Sequence, residues 1–294
     1  MKRRTLLQSA LALSAPAATS AAKSTRLHTV QYTPRTLYSG LPGFDYASGG
    51  VSAGEVVCLS GPSCMGKTLL LLDLASRICR RYGARVLFYS AHKPSVYIGK
   101  KAALKGGVPV WYWEDASSDR GGSTVCLLDS NTAIAESAFE IAVKLRGKSP
   151  SAALVLILDG WSTLPARSDG MKVIDGIASY PAERWPHTLM SQELIGRFSD
   201  FSIMTGMPVV LGVTTASLMD DEAIATSIAL ESGIASIANR WVKLHRPALY
   251  KVTADIGPTE RNVVELTGSS PTWWDTRCSK LRFDSRDLGF STVV

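Results

Sequence analysis

The run Gly61-Pro62-Ser63-Cys64-Met65-Gly66-Lys67-Thr68 fits G-x-x-x-x-G-K-[ST], and it constrains the fold of everything around it. Before it lies Gly54-Glu55-Val56-Val57-Cys58-Leu59-Ser60, a turn followed by a short apolar β-run. After it, residues 69–81 place apolar side chains at 70, 71, 74, 75 and 78, a helical spacing. Strand, glycine loop and helix in that order form a phosphate-binding loop, because backbone amides and the positive end of the helix converge on one point. In such a loop Lys67 reaches the β- and γ-phosphates of ATP and Thr68 ligates Mg²⁺.

The following segments extend the pattern. Arg85–Ser90, Val125–Leu128, Leu154–Asp159 and Met207–Thr215 read as strands. Ala133–Leu145 and Leu189–Met204 carry helical periodicity. A continuous aliphatic run such as Leu154–Leu158 marks a strand buried on both faces, as in a parallel sheet. Strands alternating with helices predict an α/β class chain, a doubly wound and mostly parallel sheet with helices on both faces. Residues 106–122, 165–188 and 216–236 read as loops. Arg240–His245, Ala248–Ala254 and Asn262–Leu266 are expected as antiparallel strands closing the sheet.

Net charge does not mark the folded body as a polyanion binder. The chain of 294 residues carries +7, but residues 1–44 hold six basic residues and no acidic one. Removing those six from 32 leaves 26 basic residues against 25 acidic ones. Residues 1–35 therefore read as a basic, acid-free leader or arm, 36–267 as the core and 268–294 as a C-terminal tail. Met1-Lys2-Arg3-Arg4 and the Ala/Leu/Ser stretch after it imitate a twin-arginine export signal, and fit a mitochondrial transit peptide or a loose arm equally well. Export is the disfavoured reading for an ATP-binding chain. No apolar run approaches the ~18 residues of a membrane span. The five cysteines, Cys58, Cys64, Cys79, Cys126 and Cys278, show no CxxC spacing and read as buried thiols.

Asp159 closes its aliphatic strand where a Walker B carboxylate is expected, facing the Mg²⁺ held by Thr68. Hydrolysis needs a group that orients and deprotonates water. The second strand ends in Ser90-Ala91-His92-Lys93, offering His92 as a base or as an ordinary surface histidine. Glu55 comes too early to aim at a γ-phosphate, whereas Thr214 and Thr215 end a later strand and offer hydroxyls to sense one. Arg240, Lys243, His245, Arg246 and Lys251 form a basic group in sequence, and Arg277, Lys280, Arg282 and Arg286 another beside Trp273 and Trp274. Basic residues with aromatics suit single-stranded DNA, by phosphate contact and base stacking, or are simply a solvated edge.

Residues 36–267 resemble the RecA-like recombinase superfamily. Gly40-Leu41-Pro42-Gly43-Phe44-Asp45 and Gly49-Gly50-x-x-x-Gly54-Glu55 are similar to the segment before the loop in those proteins. Leu154–Ser162, Val209–Thr215 and Ile237–Leu244 resemble the short eukaryotic recombinase paralogues. That resemblance implies an ATP-binding accessory subunit of homologous recombination and DNA repair, hetero-oligomeric with related RecA-like subunits on single-stranded or branched DNA, and nuclear. The chain also resembles the ATPase domain of DnaB-type replicative helicases, through Met65–Thr68, Val86–Ser90 and Glu231-Ser232-Gly233, which would imply a homo-oligomeric ring. Both resemblances call for Glu where His92 stands. The helicase one also calls for Gln at Thr214 or Thr215 and a Lys/Arg pair near Thr253–Asp255. These departures favour ATP binding over rapid hydrolysis. A P-loop kinase or signalling ATPase without DNA is the remaining alternative.

Overall fold

A computed structural model describes residues 36–62, 65–90, 98–99, 109–112, 124–128, 135–148, 152–162, 192–215, 238–246, 262–272, 275–286 and 288–293. All of them lie within the unit Tyr32–Val294. Two short strands, β1 (Thr36–Leu37) and β2 (Val51–Ser52), pair antiparallel around helix α1 (Pro42–Ser48). Pro42 opens α1, where its missing N–H costs nothing. The Asp45 carboxylate accepts the backbone N–H groups of Ser39 and Gly40, both at 2.8 Å, and so fixes the entry to the helix.

The main sheet is built from β3 (Val56–Gly61), β4 (Arg85–Ser90), β5 (Val110–Tyr112), β6 (Thr124–Leu128), β7 (Leu154–Ser162), β8 (Val209–Thr214), β9 (Arg240–His245), β10 (Val263–Ser269), β11 (Arg277–Asp284) and β12 (Gly289–Thr292). Its order is β12-β11-β10-β9-β3-β8-β7-β4-β6-β5. From β9 to β5 every neighbouring pair is parallel, and β10, β11 and β12 extend the edge antiparallel. The expected α/β, doubly wound and mostly parallel sheet is what forms.

Three longer helices cover it: α2 (Lys67–Tyr82), α3 (Ala135–Lys148) and α4 (Gln192–Thr205). Successive strand residues point to opposite faces, so β3, β4, β6, β7, β8 and β9 each feed two cores. Val57, Leu59, Val86, Phe88, Val155, Ile157 and Val210 meet α1 and the α2 residues Leu70, Leu71, Leu74 and Ile78. Val56, Cys58, Leu87, Leu156, Leu158, Leu211 and Val213 meet Ala142 and Leu145 of α3 and Phe198 of α4. Helix α2 stops at Gly83, in the left-handed conformation with φ 63°, after Arg80 and Arg81 have placed cations at its negative end.

Several expectations change. Strand β5 lies inside the segment expected as a loop. It is a three-residue edge strand, too short to show a period. Strand β9 is parallel to β3 and antiparallel only to β10, so it belongs to the central sheet and does not merely close it. Residues 277–292 continue the same sheet as β11 and β12, where the sequence suggests a tail. Cys58, Cys79 and Cys126 are buried as expected, but Cys278 is exposed. Ala248–Ala254 and the segments 165–188 and 216–236 lie outside the described residues. Among the described residues no helix is long and apolar enough to cross a membrane.

Cys126 is 1% exposed on β6, and burial pushes its thiol up from 9.0 to about 12. The unfolded chain ionises this thiol first, so its contribution to stability is intact below about pH 9 and is lost as pH rises toward about 12. Urea midpoints followed from about pH 8 to about pH 11 should therefore fall more steeply for the native chain than for Cys126→Ala. Equal slopes would show that this thiol does not contribute.

Candidate functional site

The carboxyl ends of β3, β8, β7 and β4 come together beneath the start of α2. Gly61 ends β3, and Gly66 and Lys67 begin α2, so Gly61, Pro62, Met65, Gly66, Lys67 and Thr68 occupy the strand-to-helix junction read from sequence. Ser63 and Cys64 lie outside the described residues. Gly66 is the helix N-cap with φ 88°, a left-handed conformation that glycine adopts without steric cost. Among the described residues no side chain caps this helix. The first turn of such a helix points its amides and the positive end of its dipole toward the loop, where an anion is favoured.

Lys67 is 7% exposed, and its ammonium donates to the carbonyls of Gly61 and Pro62, both at 2.7 Å. The cation is thus held over the loop by the loop's own backbone. Thr215, just past β8, donates its N–H to the same Gly61 carbonyl at 3.1 Å. Thr214 pairs with Gly61 on one side and Ser162 on the other. Both threonines therefore sit beside the loop.

Asp159, 3% exposed, accepts the Thr68 hydroxyl at 2.7 Å through Oδ2, and Ser90 donates to the same oxygen at 3.2 Å. The two expected metal-binding residues are brought together from α2 and β7. Strand β8 lies between β3 and β7, and Gly212 of β8 pairs with Asp159. A Cβ on Gly212 would lie 2.7 Å from Asp159 Oδ1 and 2.7 Å from Leu71 Cδ1. Just beyond, the β7–β8 ladder shifts register between Asp159 and Trp161, where Gly160 has φ 96°. Such bulges re-aim side chains at strand ends.

Thr68 and Asp159 are hard oxygen donors. Mg²⁺ characteristically takes one or two carboxylates, several waters and substrate phosphates. Among the described residues no group of three or more His, Cys, Asp or Glu gathers to hold a metal by itself. The donor set fits Mg²⁺ shared with a nucleotide better than a metal caged by protein. Ser90 and Gly212 carry no motif in the sequence. Gly212 was signalled only as a glycine within an aliphatic strand, the mark of a close approach.

The basic residues divide. Arg240 pairs with Val57 near the amino end of β3, and its guanidinium donates to Glu55 Oε1 and the Ser48 carbonyl, each at 3.3 Å. Glu55 is thus a structural partner far from the phosphate loop. Lys243 pairs with Ser60, is exposed, and lies 5.2 Å from the ring of Trp241. The Trp241 indole N–H donates to Ser60 Oγ. Register places Lys243, His245, Lys280 and Arg282 on one sheet face, with Glu265 beside Lys280 at 3.1 Å. Arg246 donates to Asn262 Oδ1 at 3.3 Å. His92, Lys251, Trp273 and Trp274 lie outside the described residues.

No family model matches the sequence, and no match is found among curated proteins. Solved structures do match the fold. The ATPase domain of G40P superposes with a TM-score of 0.61 at 14% identity, over 88% of this chain and 91% of that one. A DnaB-like replicative helicase, described with its interactions with primase, gives 0.62 at 13% identity over 91% of this chain. This chain spans 64% of that helicase's length. The fold is RecA-like. At these identities the likeness concerns architecture, and the chemistry must be argued from the residues.

Gly212→Ala should cost about 1–3 kcal/mol, the scale of an overpacked core, because its methyl meets Asp159 and Leu71 at once. Urea unfolding measures the loss. Stability equal to the native chain's would mean that β7 and β8 separate freely at this point.

Proposed function

We propose that the chain binds Mg-ATP at the β3–α2 junction and works on DNA within an assembly of RecA-like subunits. The observation that carries the reading is the 2.7 Å contact between Thr68 and Asp159, beside a buried Lys67 held over the loop. The first-turn amides of α2 and the Lys67 ammonium would receive the β- and γ-phosphates, with Lys67 exchanging carbonyl partners for phosphate oxygens. Thr68 and Asp159 would hold Mg²⁺, which supplies charge neutralisation at the phosphates when bound. Ser90 keeps the Asp159 carboxylate turned toward Thr68.

Two DNA-linked roles fit this core. The fold supports a helicase-type ATPase domain at least as well as a recombination subunit, since a solved ATPase domain is matched over 91% of its length. The recombination and repair role is supported by the three sequence stretches that resemble recombinase paralogues. In either role hydrolysis is slow or needs DNA, because His92 replaces the Glu that both resemblances call for. The exposed face with Lys243, Lys280 and Arg282 is the surface best suited to a DNA backbone.

Titration of the native chain with Mg-ATP should show binding that Lys67→Ala weakens about tenfold or more, as expected for losing charge-assisted phosphate contacts. Turnover should be low without DNA and rise with single-stranded DNA. Absence of nucleotide binding would overturn the proposal. Nucleotide binding without DNA affinity at low salt would leave a P-loop kinase or signalling ATPase.

A further inference from the structure

We propose that the C-terminal strand β12 is a strap that positions the phosphate loop, with Phe290 as the positioning residue and the Asp73–Arg77 pair as its clamp. This rests on the reading that the loop binds ATP. Among the described residues strand β12 is the outermost strand and pairs only with β11. An edge strand leaves its outer N–H and C=O groups without a ladder. Here α2 supplies the partners. The Phe290 N–H donates to Asp73 Oδ2 at 3.1 Å, and Arg77 Nη2 donates to the Phe290 carbonyl at 2.8 Å. Arg77 Nε donates to the same Asp73 oxygen at 3.1 Å, so the two side chains form one fork at i, i+4 spacing on the helix.

The second attachment is the ring. Phe290 is 3% exposed, and its Cζ would lie 3.7 Å from a Cβ placed on Gly66. Phe283 backs it at a centroid distance of 5.2 Å. One residue therefore grips α2 through its main chain and stands with its ring beside the last glycine of the loop. A loop that binds phosphate through backbone amides gains affinity when those amides are held in place beforehand. Gly66 has no side chain with which to anchor itself, so rigidity has to come from a neighbour. Being buried, Phe290 offers no surface to a ligand and acts through Gly66.

The test compares the full chain with Phe290→Ala, Phe290→Leu, Arg77→Met and the exposed-site control Ser291→Ala. Two readouts are needed, Mg-ATP affinity and hydrogen exchange of the amides at 66–70 and along β7 without nucleotide. Phe290→Ala should weaken Mg-ATP about tenfold, a change of about 1.4 kcal/mol. It should also speed exchange at 66–70 while β7 keeps its protection. Phe290→Leu should recover most of the affinity, and Ser291→Ala should match the native chain. Unchanged affinity and unchanged exchange at 66–70 in a folded Phe290→Ala would overturn the strap, as would equal loss of protection along β7. If Phe290→Ala does not fold, Arg77→Met decides by the same two readouts. If the native chain binds no Mg-ATP, the nucleotide reading fails, and exchange at 66–70 alone still supports or overturns the strap.

Discussion

The hydrogen bond from Thr68 to Asp159 joins residues 91 positions apart, and most of the architecture is needed to make it. Thr68 enters from the first turn of α2 and Asp159 from β7, with β8 between β3 and β7. The contact therefore requires three parallel pairings in register: Gly61 with Thr214, Gly212 with Asp159, and Ser90 with Asp159. A slip of one residue in any of them would turn Asp159 to the opposite face of the sheet. Alternation makes such a slip costly, because β3, β4, β7 and β8 each bury apolar side chains on both faces. The two cores thus fix the register, and the register brings the carboxylate to the hydroxyl.

The parts of this arrangement that were legible in the sequence are those with a local physical signature. The glycine loop announces itself, and the aliphatic runs of β4, β7 and β8 have no explanation other than two-sided burial. The α2 stripe at 70, 71, 74, 75 and 78 is buried as its spacing requires. The edge is different. Along β11, Cys278, Lys280, Arg282 and Asp284 are exposed while Leu281 is buried, so half the strand is polar and reads like a tail. Helix α1 has only seven residues and depends on Asp45 reaching back to Ser39 and Gly40, a contact with no periodic trace. Ser90 and Gly212 matter because of what stands opposite them, which only pairing reveals.

Strand alternation also changes the meaning of the basic residues. Arg240 and Lys243 are three apart on β9 and so leave the sheet on opposite sides. One ties Glu55 to the end of α1, and the other is exposed beside Trp241. A cluster in sequence becomes two sites with different physics. The exposed side gains Lys280 and Arg282 from a strand much later in the chain. Glu265 offsets part of that charge, so any hold on a nucleic acid backbone there is moderate and salt-sensitive.

Binding and splitting of ATP make separate demands, and the proposal of ATP binding rests on the first. On the proposed reading, Lys67, Thr68, Asp159 and the first turn of α2 would all act on phosphate or on a cation beside it. Asp159 receives two hydroxyl donors on the same oxygen, which fixes its direction. If ATP is split, proton removal from water would fall to another group. Strand β4 ends at Ser90, already committed to Asp159, and the next ionisable side chain in sequence is His92. An imidazole accepts a proton only while it is neutral, whereas a carboxylate in that place would be ionised across the physiological range. On the reading proposed above, His92 in place of the Glu that both resemblances call for would leave the nucleotide's cradle intact and weaken the step that consumes it, which would suit a subunit whose ATP serves to hold an assembly together.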